Sequence, residues 1–139
     1  MIIRQGKLAD SSSIHQLLEQ LGYPQHDDKV AQAIELYNKE SYHLLVVEDD
    51  SMIAGFASLH WFDMFHSRGK MGRITAICIQ DELRSKGIGH KLLLASEEFL
   101  KLKGCTKIEV TCNLKRTLTH EFYTKNGYTI DSKRFIKII

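Results

Sequence analysis

Residues Arg84-Ser85-Lys86-Gly87-Ile88-Gly89 stand between an apolar strand pattern, Ile74 to Ile79, and a long helical pattern, Gly87 to Lys103. That order leaves few folds open. In the helix Ile88, Leu92, Ala95, Phe99 and Leu102 line one face, and Gly104 ends it. The first-turn N–H groups of a helix have no partner inside it, point outward and carry partial positive charge. Glycine at 87 and 89 lets an anion approach that backbone closely, and Arg84 and Lys86 add full charges. Ile88, between the glycines, anchors the turn to the core. Strand, turn and helix start thus make a seat for a pyrophosphate. The plainer alternative, a glycine-containing loop with ordinary basic residues, is not excluded by the hexapeptide alone.

Two other phosphate loops fit poorly. A Walker loop needs Gly-Lys-[Ser/Thr], which occurs nowhere in the chain. A dinucleotide fingerprint needs a third glycine where Leu92 stands and a turn straight from the strand, whereas Gln80 to Lys86 intervene.

A chain of 139 residues is expected to form one domain, residues 1–139. With 43% hydrophobic and 26% charged residues it reads as a soluble globular protein. No apolar run approaches the ~20 residues of a membrane helix, and the Met1-Ile2-Ile3-Arg4 start lacks a signal peptide's regions. A formal charge of +2, with no basic stripe or stacking aromatics, argues against nucleic acid. Cys78, Cys105 and Cys112 are odd in number and have no CxxC spacing, so reduced thiols and a cytoplasmic location are expected. None of the seven histidines forms a metal pattern, so no metal is expected.

The remaining elements follow from periodicity. Ile2 to Gln5 suits a short first strand. Ile14, Leu17, Leu18 and Leu21 mark a helix stopped by Gly22; Val30, Ala33, Ile34 and Tyr37 mark a second, with Asp27 and Asp28 in its first turn. Leu44 to Val47 and Ile53 to Trp61 read as a hairpin, and Phe62 to Gly69 as a loop. Strands are expected at Arg73–Ile79, Lys107–Cys112, Tyr128–Ile130 and Phe135–Ile139. Thr117 to Asn126 is either a hairpin arm turning at Asn126-Gly127 or a helix that Gly127 ends.

With the turn, the helix, Asn113 and Phe122-Tyr123-x-x-x-Gly127-Tyr128 in this order, the chain resembles the GNAT family of acetyl-CoA-dependent N-acetyltransferases over essentially its whole length. The resemblance implies a mixed, twisted α/β sheet of six to seven strands, splayed in the middle and flanked by about four helices. It makes Thr117 to Asn126 a helix. The family's acetyl-CoA turn falls on Arg84, Gly87 and Gly89, so Arg84, Ser85, Lys86, Gly87, Ile88, Gly89 and His90 are expected to contact the co-substrate. Ile77, Cys78 and Ile79 match the strand whose backbone pairs with the pantetheine arm. Asn113 matches the family's Asn, and Arg116 and His120 match a subgroup. Thr75 stands where many members carry a glutamate base, so that role cannot be carried over.

The implied reaction is direct attack of an amine on the thioester, with a primary amine, expected to be small, as acceptor. Freeing the lone pair of an alkyl amine of pKa ~10.4 at pH 7 costs about 4–5 kcal/mol unless the site helps. Glu109, His60, Asp63 and His66 are the candidate bases, and a water chain is equally open. Tyr123 is the expected donor to the leaving thiolate, or else a packed helix tyrosine. His60, Trp61, Asp63, Phe65 and His66 form a candidate acceptor cluster, with Tyr23 and His26 weaker candidates. Lys115 and Arg116 are either contacts to the co-substrate's phosphates or solvated charges. His15, His43 and His90 read as surface or interface residues, so His90 carries both readings. A homodimer is possible, as is a non-catalytic acyl-CoA sensor or a peptide acetyltransferase.

Overall fold

The computed structural model describes residues 1–111 and 117–139. Its elements run β1 (Ile2–Gln5), α1 (Ser11–Leu21), α2 (Asp27–Leu36), β2 (Tyr42–Asp49), β3 (Met52–Asp63), β4 (Lys70–Ile79), α3 (Ile88–Leu102), β5 (Cys105–Val110) and α4 (Thr117–Lys125). The strands form one sheet in the order β1-β2-β3-β4-β5. Pairing is antiparallel except between β4 and β5, which are parallel and joined through α3.

β2 and β3 are buried on both faces, which explains why Leu44 to Val47 reads as an unbroken apolar run. On one face α1 and α2 set Ile14, Leu17, Val30 and Ile34 against Leu44, Val46, Phe56 and Cys78. On the other, α3 sets Leu92, Leu93 and Leu100 against Leu45, Val47, Leu59 and Ile74. No helix among the described residues is long and apolar enough to cross a membrane.

The start of the chain is tied down by charge. Arg4 donates from both terminal nitrogens to the Asp10 carboxylate at 2.9 Å and from Nε to Glu48 at 3.0 Å, joining β1, the turn before α1 and β2. Asp10 is buried and also accepts the Lys7 N–H. The Arg4 hydrogen bonds hold its carboxyl below the usual range despite burial. A depressed carboxyl stabilises the fold above its unfolded pKa of ~3.9, and that stability is lost as pH falls through the folded value. Asp10→Ala is expected to cost about 3 kcal/mol near neutral pH, and less as the pH drops below about 4. Urea unfolding at several pH values measures both.

The structure corrects the strand count. Five strands form among the described residues, not six to seven. Neither Tyr128–Ile130 nor Phe135–Ile139 is a strand, and every residue from Thr129 to Ile139 is exposed. Their β-branched content favours extended backbone, but propensity alone does not make a strand, and no described strand pairs with this segment. The loop at Phe62–Gly69 is shorter than expected, because β3 runs to Asp63 and β4 starts at Lys70, with an Asp63–Lys70 ion pair across the hairpin mouth. β5 starts at Cys105, and the expected end of that strand at Cys112 lies outside the described residues.

The ambiguous segment is the helix α4. Gly127 takes a left-handed φ of +88°. The Tyr128 N–H reaches Tyr123 O at 3.0 Å and the Gly127 N–H reaches Thr124 O at 3.1 Å. Those two bonds are a Schellman cap, accompanied here by packing of the Tyr123 and Tyr128 rings.

Candidate active site

The site begins with a bulge. Ser58 on β3 faces Ala76, but the next residue, Leu59, faces Ile74, so Thr75 is an extra residue on β4. Such an insertion bends a strand and sharpens its twist. β5 pairs with β4 only from Lys70 to Ile74. Beyond the Ile74–Val110 pair the two strands part, and among the described residues no strand lies beside the edge of β4 from Thr75 to Ile79. Ile77 and Ile79 pack toward α3, while the buried Cys78 thiol faces α1, 3.5 Å from Leu17 O. Cys78 and Cys105 are both buried, as core thiols should be.

The open edge leads into the glycine turn. The Gln80 N–H closes on Ala54 O at 2.8 Å, and a single tight turn at Asp81–Leu83 follows. Arg84 braces this turn, with an ion pair to Asp81 at 3.1 Å and an Nε–H directed at Ile79 O at 3.4 Å. Ser85 and Gly87 both have left-handed φ, +63° and +79°. Gly87 suffers no strain there, and a Cβ built on it meets nothing within 4 Å. Gly87, the N-cap, has no side chain to cap α3, whose first ladder bond runs from the Lys91 N–H to Gly87 O. The N–H groups of Ile88, Gly89 and His90 precede that ladder, and Lys86 is exposed beside them.

α4 packs against the start of α3. Phe122 lies 3.7 Å from the position of a Cβ on Gly89. His90 Nδ1 lies 2.6 Å from Asn126 Oδ1, and the Asn126 amide donates to Phe122 O at 2.7 Å. His90 is therefore a link between two helices as well as a first-turn residue. Tyr123 is buried in the core between Phe122 and Tyr128. The Tyr128 hydroxyl donates to Glu97 at 2.9 Å; burial first, then this bond, pushes its pKa well up, so Tyr128 stays protonated. Asn113, Lys115 and Arg116 lie outside the described residues.

On the opposite face of the sheet, register assembles a row that no stretch of sequence contains. Tyr42 pairs with His60, His60 with Arg73, and Arg73 with Glu109, across β2, β3, β4 and β5. The Tyr42 and His60 rings stack at 4.2 Å. The Arg73 guanidinium lies over Phe62 and forms an ion pair with Glu109. Beside the row, Thr75 Oγ1 is 2.9 Å from the Tyr37 hydroxyl and 2.7 Å from Ser58 Oγ. Thr75 is thus engaged by two hydroxyls.

The expected acceptor cluster is divided by strand alternation. His60 faces the row, but Trp61 turns to the other face against Phe99. Asp63 is paired with Lys70 at the hairpin mouth, and Phe65 and His66 are exposed at its tip. Tyr23 and His26 are exposed in the α1–α2 connection, and His15 joins α1 to Asp27. His43 is half-buried: it stacks on Phe99 at 3.9 Å, and burial, helped by Lys103, lowers its pKa. Sequence reading missed Tyr37, Tyr42, Ser58 and Arg73 as site residues. A groove of about 610 Å³ between α1 and the β2–β3 turn is lined also by Gln80, Glu82 and Leu83, which follow β4.

A family model described as "Acetyltransferase (GNAT) family" matches residues 12–128. The chain belongs to that family. Its activity class is accordingly that of an acetyl-CoA-dependent N-acetyltransferase. It is similar to an aminoalkylphosphonate N-acetyltransferase of Salmonella typhimurium, 26% identical over 142 residues that cover 99% of this chain and 90% of the relative. A solved GNAT acetyltransferase of Staphylococcus aureus is 26% identical and superposes with a TM-score of 0.83, covering 99% of this chain and 98% of the other. An aminoglycoside N-acetyltransferase solved in complex with CoA shares the fold at a TM-score of 0.86 and 18% identity, covering 99% of this chain and 93% of the other.

Proposed function

We propose that residues 1–139 act as one catalytic domain that moves the acetyl group of acetyl-CoA directly to the primary amine of a small molecule. The observation that carries this reading is the continuity of the open β4 edge with the uncapped start of α3. The residues fit the co-substrate. An extended pantetheine arm would lie along Ile77, Cys78 and Ile79, adding backbone hydrogen bonds where β5 has turned away. The diphosphate would meet the amides of Ile88, Gly89 and His90 and the charges of Lys86 and Arg84. Ser85 and Gly87 shape the turn, while Asn113 and Arg116 are expected to complete the seat.

The thioester supplies an activated acyl carbon, and the chain supplies position and electrostatics. Tyr123 is assigned as hydrogen-bond donor to the thiolate as it leaves. A phenol of pKa ~10 is a weaker acid than a thiol of ~8.5, so full transfer is uphill by about 2 kcal/mol and the hydrogen bond itself carries much of the effect. A small acceptor fits the names of two of the proteins compared, which act on an aminoalkylphosphonate and on aminoglycosides. Buried core cysteines suit a cytoplasmic setting.

The test is thiol release from acetyl-CoA across a panel of small amines, polyamines and peptides. Turnover on small amines is the expected result. Tight acetyl-CoA binding without turnover on any amine would instead make the chain a sensor, a reading to which the missing glutamate at Thr75 gives some support. Two copies of the chain are also expected to pair. Ile130, Phe135, Ile136, Ile138 and Ile139 are all exposed on one continuous segment, an apolar surface that a single chain leaves in water. Sedimentation should show a dimer that Ile136→Asp and Ile138→Asp together convert to monomer.

A further inference from the structure

We propose that His60 Nε2 takes the proton of the acceptor amine. This rests on the acetyl-transfer reading and supplies the base that Thr75 cannot be. The assignment starts from the tautomer. His60 Nδ1 lies 2.8 Å from the carbonyl oxygen of Ser41, which also accepts the Trp61 N–H at 3.1 Å. A carbonyl only accepts, so Nδ1 carries the proton and, in the neutral ring, Nε2 carries the lone pair. Ser41 holds a left-handed φ of +69° to present that oxygen, a conformation uncommon for a residue with a side chain. The stack on Tyr42 fixes the plane of the ring.

The alternatives are engaged elsewhere. Glu109 is held by Arg73, Asp63 by Lys70, and His66 sits at the hairpin tip. The groups facing His60 are Tyr42 from β2 and Arg73 from β4, with Tyr37, just after α2, packed on Tyr42 and Glu109 of β5 beyond Arg73. Because Glu109 compensates Arg73, an imidazolium formed at His60 faces no isolated positive charge. His60 also lies one register step from the Ile74–Val110 pair where the sheet opens.

The ammonium gives one proton to His60 Nε2, and the freed nitrogen lone pair forms the C–N bond to the acyl carbon. The C–S bond breaks, and its electron pair leaves on sulfur. The thiolate gains a proton through Tyr123, replaced by the second proton of the new amide nitrogen. The imidazolium then returns the first proton to water.

His60→Asn tests the assignment, because the Asn amide can keep a donor near Nδ1 while nothing replaces Nε2. Acetyl-CoA affinity and melting temperature should match the unaltered chain. Turnover of an alkyl amine at pH 7 should fall about 100-fold, within the usual range for general-base catalysis. The deficit should shrink to a few-fold near pH 9.5, as the amine approaches its own pKa of ~10.4 and sheds its proton unaided. A deficit that stays the same across pH, or no deficit at pH 7, overturns the role of His60 while the transferase reading stands. An unaltered chain that acetylates no amine at any pH overturns both.

Discussion

Gly89→Glu is expected to weaken acetyl-CoA binding by at least 100-fold while leaving the fold intact. A Cβ at this position meets Ile79 and Phe122 at 3.7 Å, an ordinary contact, and the backbone there is helical, so the substitution is sterically tolerated. A carboxylate in the first turn of α3 also suits the helix dipole, which favours the folded chain by several tenths of a kcal/mol. The same carboxylate occupies the amides assigned to the diphosphate and repels it. Losing charge-assisted hydrogen bonds and gaining like-charge repulsion together amount to about 3 kcal/mol or more. Calorimetric titration with acetyl-CoA and a melting curve separate binding from stability. Retained affinity would show that the phosphates lie elsewhere.

Tyr123→Phe should lower turnover 100-fold or more and change acetyl-CoA affinity by only a few-fold. The ring is buried between Phe122 and Tyr128, and phenylalanine keeps that packing. What disappears is one hydroxyl, whose value rises only as negative charge develops on sulfur. The prediction is therefore a fall in kcat with KM for acetyl-CoA nearly unchanged. Equal losses in both would make Tyr123 a packing residue. Tyr128 does not substitute for it, because its hydroxyl is committed to Glu97.

Local pattern and tertiary register contributed differently to what could be read from the chain. α3 was legible because its apolar stripe and its glycine turn are local features, and both stand where periodicity puts them. α4 was not decidable locally: threonines favour a strand, whereas the Schellman cap at Gly127 and the docking of Phe122 and Tyr123 on the core make a helix. The closing strands failed for the opposite reason. Ile136 and Ile138 have strand propensity, but propensity is local and a strand needs a hydrogen-bonded partner, which no described strand gives them. The Tyr42–His60–Arg73–Glu109 row was invisible because its members come from four strands, aligned by a register that includes the bulge at Thr75. The stack of half-buried His43 on Phe99 was likewise not legible, because it joins β2 to α3 across the fold.

A crystal structure with CoA bound bears most directly on the central claim. The account places the diphosphate oxygens within about 3 Å of the N–H groups of Ile88, Gly89 and His90. Pantetheine should run antiparallel or parallel to Ile77–Ile79 in the gap beside β4. Phosphates bound at any other surface, with the first turn of α3 facing only solvent, would contradict it.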